Sequence, residues 1–284
     1  MSAPCPLCEG LCRRRFEIAG HTVWRCDRCD LERVYPLPDA AEVEAVYRDG
    51  YFSGPGAGYD DYFERERAVA ARKSAARLDR AAELGVRRGR ALDVGCASGY
   101  FLEAALARGF AVRGVEPSEE ARAHADDRVR GSIVASLGDD EGPFDLITFW
   151  DVLEHLADPV ATLAETAPRL APGGVLGVVV PVLGSVNTRL APRTWDQYKP
   201  PEHLWFFSPR AMRAALSRAG LEVVLEEPAW TRHARFIDPE HRRRDPLTRA
   251  LRGLDAALHR GLAAIAGRAL LVDSVAFYAR RRPA

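Results

Sequence analysis

The stretch Ala91-Leu-Asp-Val-Gly-Cys-Ala-Ser-Gly-Tyr-Phe-Leu102 leaves few folds open to this chain. It reads as a buried strand ending at Gly95, a tight loop of small residues, and a helix beginning near Gly99. A loop of Gly95, Ala97, Ser98 and Gly99 lets a ligand approach the backbone, and the helix start offers unpaired N–H groups. The helix stops at Gly109. A second strand, AVRGVEPS, then closes on Glu116, at the distance from the loop where an acid accepts hydrogen bonds from ribose hydroxyls. The unit is a nucleoside-binding βαβ.

A nicotinamide dinucleotide would call for GxGxxG, whereas Gly95 to Gly99 gives GxAxG followed by Tyr100, with less glycine around a pyrophosphate. Downstream, GPFDLITFWDVLEHLADP predicts a strand from about Phe144 to Trp150, a loop and an acid-capped helix. LAPGGVLGVVVP predicts a helix stop and a fifth strand, LEVVLEEP (Leu221 to Pro228) a sixth, and SVAFYARRR from Ser274 the last. Strands alternating with helices make an α/β chain.

From about Ala91 to Pro181 this order of motifs resembles the class I S-adenosylmethionine-dependent methyltransferases. The resemblance implies a Rossmann-like seven-stranded methyltransferase sheet and S-adenosylmethionine as cofactor. It places Asp93, Gly95, Cys96, Ala97 and Gly99 at the methionine end, Glu116 and the following Pro117 at the ribose, and Ser136 with Leu137 along the adenine. Trp150 and Asp151 would close the pocket after the fourth strand. Ala97 stands where the family's loop has its middle glycine; a methyl there is often tolerated, but a crowded loop would weaken cofactor binding. Cys96 reads as a small packing residue, since no activating base lies near it in sequence. Glu154-His155 reads as a pair at a helix start with His155 half buried; a catalytic duty would require that histidine to face the acceptor.

The N-terminus carries Cys5-Pro-Leu-Cys8 and Cys26-Asp-Arg-Cys29, two CxxC knuckles at the spacing that offers four thiolates to one tetrahedral zinc. The intervening FEIAGHTVWRC predicts strands around a Gly20-His21 turn, as in a zinc ribbon. A thioredoxin-like redox pair would need one CxxC within a βαβ context, which is missing. Cys12 is a spare thiol and His21 a turn residue, although either could replace a ligand. With four protein ligands the metal is structural, and a unit this small would draw its folding energy from it.

The segment after the fifth strand, LGSVNTRLAPRTWDQYKPPEHLWFFSP, is broken by prolines and rich in aromatics: Trp195, Tyr198, Trp205, Phe206 and Phe207. In this fold it would cover the acceptor, and the aromatics can exclude water there. His203, held just before a helix opened by Ser208-Pro209, could act as a general base made more basic by Glu202, or it could cap the following turn. A zinc ribbon, YPLP, a tyrosine-rich linker and EHLxxF are together similar to bacterial methyltransferases of sugar and natural-product pathways. That similarity implies His203 and Glu202 in the active site, joined by a linker tyrosine such as Tyr59 or Tyr62.

These readings divide the chain into a zinc ribbon (1–35), a tyrosine-rich linker and helix (36–84), and a methyltransferase domain (85–284) with an acceptor lid (183–208) and a helical insertion (229–270). Leu247, Leu251, Leu254, Leu258 and Leu262 form one stripe of that insertion, fit to pack on the sheet, to make a homodimer or to lie on an anionic membrane. Forty basic and forty acidic residues cancel, so net charge gives no reason to expect nucleic acid. No apolar run nears the ~20 residues that span a bilayer, and no signal peptide is visible, so the expected place is the cytoplasm, where six cysteines are thiols or metal ligands. The expected reaction is methyl transfer to a small-molecule acceptor, on oxygen by default and on carbon as the alternative. A ribbon that docks a macromolecule is the competing class.

Overall fold

The computed structural model describes residues 2–46, 67–138, 142–184, 188, 195–229 and 274–282. Tyr59, Tyr62, part of the lid and the leucine stripe of the insertion lie outside the described residues. Near the N-terminus, strands β1 (Ser2–Pro4), β2 (Leu11–Ile18), β3 (His21–Cys26) and β4 (Glu32–Val34) form an antiparallel sheet. The β2–β3 turn falls on Ala19-Gly20, one residue earlier than Gly20-His21, because a two-residue hairpin loop needs positive φ at both positions and these have 49° and 80°. His21 is therefore the first residue of β3.

Helix α1 (Ala40–Val46) is capped by Asp39, whose Oδ1 accepts from the Glu42 amide at 2.8 Å. Helix α2 (Arg67–Glu83) turns Ser74, Leu78 and Ala81 inward. There follow β5 (Gly89–Val94), α3 (Tyr100–Ala107), β6 (Phe110–Val115), α4 (Glu119–Ala123), α5 (Asp127–Arg130), β7 (Ile133–Val134) and β8 (Phe144–Trp150). Then come α6 (Pro159–Thr166), β9 (Leu170–Pro181), β10 (Trp205–Phe206), α7 (Pro209–Arg218), β11 (Leu221–Pro228) and β12 (Ser274–Arg281).

The larger sheet runs β11-β12-β9-β8-β5-β6-β7, parallel from β9 to β7 and antiparallel at β12 and β11. The strand order reverses between β5 and β8, and the crevice beyond their carboxyl ends is where such sheets bind ligands. Alternation along β8 builds both layers. Leu146 packs with α2 and α3 residues such as Leu78 and Phe101, while Ile147 and Phe149 pack with Leu163, Met212 and Leu216 on the other face. Where the sequence suggested a helix stop within LAPGG, the chain has already left α6 by a 3-10 turn at Ala167–Arg169. The glycines instead lie in β9, in a break of register between the Phe144–Leu170 and Leu146–Val175 pairs.

One pairing joins the two sheets' territories. β10, from the lid, pairs antiparallel with β4, so that Trp205 faces Arg33 and Phe206 faces Glu32. A single apolar cluster then runs from Cys5, Leu7 and Leu31 to Leu204, Phe207 and Met212. The boundary near residue 35 divides the chain in sequence, but the apolar core crosses it.

Candidate active site

At the β5–β8 crevice the chain gathers several of the residues singled out in the sequence. Asp93 is buried at the end of β5 and accepts from Thr148 Oγ1 of β8 at 2.6 Å. Burial pushes its carboxyl up to about 7 against the pull of that bond and of Arg77. Gly95 has φ of 71°, and a Cβ there would meet Val152 Cγ2 at 2.6 Å, so only glycine lets the loop pass the turn after β8. Glu116 Oε2 accepts the Ala97 amide at 3.0 Å and its Oε1 the Ser118 amide at 2.9 Å, so this acid shapes the loop. A carboxylate has lone pairs left for further donors. Burial raises the Glu116 carboxyl, opposed by those two amides.

Ala97 sits at φ 47°, the left-handed region that favours glycine, so the departure from the family loop carries backbone strain as well as an added methyl. Ser98 is fully buried, and its hydroxyl has no hydrogen-bond partner among the described residues. An orphaned hydroxyl beside a glycine-rich turn fits a loop built around a bound nucleoside. The Cys96 side chain turns away into a cluster with Leu102, Ala125, Val129 and Ile133, and burial pushes its thiol up, so it packs as expected. Pro117 and Ser136 are exposed at the ends of β6 and β7, and Leu137 leans partly on the core.

Trp150 spends its ring on packing, 5.5 Å from Phe101 and 6.4 Å from Tyr278, with the Arg77 guanidinium 4.3 Å above it. Asp151 is exposed, and Arg77 Nη2 approaches it to 3.7 Å. Arg77, from α2, thus stands between the loop acids and the end of β8. Sequence reading missed it because an arginine on an arginine-rich helix carries no local mark.

Beyond β8 a 3-10 turn, Leu153–His155, brings Glu154 and His155 against His203 of the lid. The two imidazoles meet edge to face at 4.5 Å, and Glu154 Oε1 is 4.0 Å from His155 Nε2. The turn and the lid are clamped by the Leu204 amide donating to the Glu154 carbonyl at 2.8 Å and by Trp205 Nε1 donating to the Leu156 carbonyl at 2.7 Å. Neither carboxylate oxygen of Glu154 has a hydrogen-bond partner among the described residues, and burial, then the charge of Asp151, pushes that carboxyl well above its usual range. Burial lowers His155 to about 4 and holds His203 well below the ordinary imidazole value. His155 keeps 19% of its side chain accessible while His203 keeps 3% of its surface, so His155 is the histidine nearer solvent.

His203 Nδ1 lies 3.0 Å from the Gln197 carbonyl. A carbonyl only accepts, so neutral His203 carries its proton on Nδ1 and keeps the lone pair on Nε2. The Glu202 carboxylate is bonded to Lys199, three residues back on the same turn, and its charge also acts on His155. Glu154 is the buried acid of the cluster. Glu154, His155 and His203 offer donor atoms within 4.8 Å of one another, so the cluster could take a cation as well as a proton. The lid aromatics also differ from expectation. Trp195, Tyr198 and Phe206 pack against Phe16, Val23 and Val34 of the N-terminal sheet, and Trp205 and Phe207 lie in the main core.

The four predicted thiols converge, with Sγ separations of 3.6 Å for Cys5–Cys29 and 3.5 Å for Cys8–Cys26. Tetrahedral zinc with sulfur at ~2.3 Å spaces its ligands about 3.8 Å apart. The Arg28 and Cys29 amides donate to Cys26 Sγ at 3.3 and 3.5 Å, and a Cβ on Gly10 would come within 2.9 Å of the same sulfur. The set therefore fits a closed zinc site. Cys12, opposite Cys26 in the β2–β3 ladder, is not one of these four converging thiols but reaches that of Cys5, and His21 lies 3.2 Å from Glu42.

Residues 63–226 match a family model described as a methyltransferase domain. The ubiquinone biosynthesis O-methyltransferase of Xanthomonas euvesicatoria pv. vesicatoria is 31% identical over 135 residues, covering 42% of this chain and 54% of that protein. The chain spans about half the length of the curated relatives it matches. The Burkholderia thailandensis 1,6-didemethyltoxoflavin-N1-methyltransferase, solved with S-adenosylhomocysteine, aligns over 95% of this chain and all of its own with a TM-score of 0.54 and 17% identity. An S-adenosylmethionine-dependent methyltransferase from Archaeoglobus fulgidus aligns over 78% and 97% with a TM-score of 0.54 and 19% identity, so both share the fold. With the family model covering more than half of its residues, the chain belongs to the methyltransferase domain family.

Proposed function

We propose that this protein transfers a methyl group from S-adenosylmethionine to a small-molecule acceptor, a sugar or other natural-product intermediate, with His203 as general base. The observation that carries the reading is the turn after β8: its Val152 abuts Gly95 of the nucleoside loop, and its His155 meets His203. This neighbourhood supports reading the loop as the cofactor's and His203 as the base beside it. When bound, S-adenosylmethionine supplies an electrophilic methyl on a sulfonium. Asp93, Glu116 and the Gly95–Gly99 loop hold the nucleoside and methionine portions, and the Nε2 lone pair of His203 takes the acceptor proton. His155, between His203 and solvent, carries that proton outward.

Oxygen is the default acceptor atom, a choice in keeping with O-methyltransferases among the similar curated proteins. Carbon is the alternative, favoured by the pairing of a four-cysteine knuckle with the Glu202-His203 segment. Cys5, Cys8, Cys26 and Cys29 hold one structural zinc, and six free cysteines suit the reducing cytoplasm. Among the described residues no helix is long and apolar enough to cross a membrane.

The test gives purified protein labelled S-adenosylmethionine and an extract of its host, then separates products by mass. Label in the low-mass fraction that vanishes with His203→Ala, while S-adenosylhomocysteine still binds, supports the reading. Label on protein or RNA overturns it.

A further inference from the structure

The structure holds a second buried charge cluster, remote in sequence from the cofactor motifs. Glu32 of β4 is fully buried, which is costly for a carboxylate unless partners surround it. Tyr198 Oη donates to its Oε2 at 2.5 Å, Arg15 bonds both Glu32 and, at 2.9 Å, Tyr198 Oη, and Arg25 Nη1 stands 3.5 Å from Oε1. The tyrosine ring is wedged between Phe16, Trp195 and Phe206, with centroids 5.2, 5.1 and 4.6 Å away. A buried ionic group of this kind gives little net stability over apolar packing, and its attested use is to fix one geometry.

The geometry it would fix is that of His203. Tyr198 directly follows Gln197, whose carbonyl receives both the Lys199 amide at 3.0 Å and His203 Nδ1. On the other side of His203, the Val34 amide of β4 donates to the Leu204 carbonyl at 2.9 Å. His203 is thus bracketed by two contacts to the same three-residue strand, one through a side chain and one through backbone.

We infer that Glu32 and Arg15 of the N-terminal sheet are positioning residues for the active site, acting through Tyr198 to aim the Gln197 carbonyl and so hold His203 with its proton on Nδ1. The four-cysteine knuckle, whose Cys29 lies three residues before Glu32 and whose Cys29 carbonyl accepts from Ser208 Oγ at 2.9 Å, anchors this brace. The sheet is then a fixed wall of the acceptor side and not a tethered docking module. This rests on the reading of His203 as the base for its catalytic meaning, though not for its structural content.

The experiment observes the ring nitrogens of the seven histidines by long-range proton–nitrogen NMR at one neutral pH, in the wild type and in Tyr198→Phe, Glu32→Gln and Phe16→Leu. S-adenosylhomocysteine affinity is measured alongside. Expected is a His203 signal, assigned by its loss in His203→Gln, that shows one tautomer in the wild type and in Phe16→Leu and an averaged pair of shifts in Tyr198→Phe and Glu32→Gln, with affinity within twofold throughout. Retention of the Nδ1-H tautomer in both polar variants overturns the proposal. So does equal averaging in Phe16→Leu, or a tenfold loss of S-adenosylhomocysteine affinity in Tyr198→Phe, since either would make the contact a general support of the fold. If the tautomer averages as expected but labelled methyl transfer is undiminished, the base assignment fails and the brace stands.

Discussion

The imidazole rings of His155 and His203 meet edge to face, centroids 4.5 Å apart and planes at 87°. Two imidazolium ions could not share that contact, and burial lowers both groups, so the pair is neutral near pH 7. Neutral His203 keeps its Nε2 lone pair, as a general base requires.

Replacing His203 with Gln should lower methyl transfer by roughly 10²–10⁴, the usual contribution of a positioned base, and leave S-adenosylhomocysteine binding unchanged by calorimetry. Glu202→Gln should cost less than about tenfold on the same scale, because that carboxylate is bonded to Lys199. Equal losses would return Glu202 to the catalytic role its sequence position suggested.

Acid should destabilise the protein through the same histidines. The folded pKa of His155 lies at about 4, below its unfolded value, so the unfolded chain binds the proton first and stability falls as pH drops from about 6.5 toward 4. The loss is on the order of 2–3 kcal/mol for His155 alone. Glu154 opposes it, since its raised carboxyl favours the fold in acid, and the nearby Asp151, Glu202 and Lys199 charges also bear on the pair. Thermal unfolding between pH 7 and 4 should therefore be flatter in His155→Asn than in wild type.

Ala97→Gly should stabilise the protein by up to about 1 kcal/mol, because relief of the left-handed φ at 47° exceeds the added freedom of the unfolded chain. Urea unfolding reads this directly. A destabilised variant would mean that the Ala97 methyl is packed and not merely tolerated.

Metal analysis should find one zinc per chain, and Cys26→Ser should abolish it. Because Cys26 Sγ also accepts two backbone amides, that variant should lose the cooperative melting of the β2–β3 hairpin as well as the metal. Zinc bound at unchanged stoichiometry would exclude Cys26 as a ligand.

Local motifs were readable in the sequence and long-range meetings were not. The strand, loop and helix around Gly95, the acid at Glu116 and the two CxxC knuckles follow from spacing within one supersecondary unit. The caps at Asp39 and Ser208 follow from residue type alone. By contrast, the union of Glu154 and His155 with His203 depends on β10 reaching β4, two strands of three and two residues that no periodicity announces. Glu32 is equally silent in ERV, where a charge on a short strand reads as exposed. Its burial is produced by Arg15 and Tyr198 arriving from elsewhere, and the same arrival explains why lid aromatics that suggested a substrate cover instead seal the join to the N-terminal sheet.

The pairing of Arg33 with Trp205 also orders events during synthesis. The cysteine-bearing hairpins are made before the large sheet, with β4 as an open edge, and the strand that covers this edge follows only after the glycine loop and five strands of the large sheet. Closing so long a loop is slow, and an uncovered edge is prone to pair with other chains. Early metal capture would hold the hairpins in register through that interval, so zinc supply during translation should govern how much of the protein escapes aggregation.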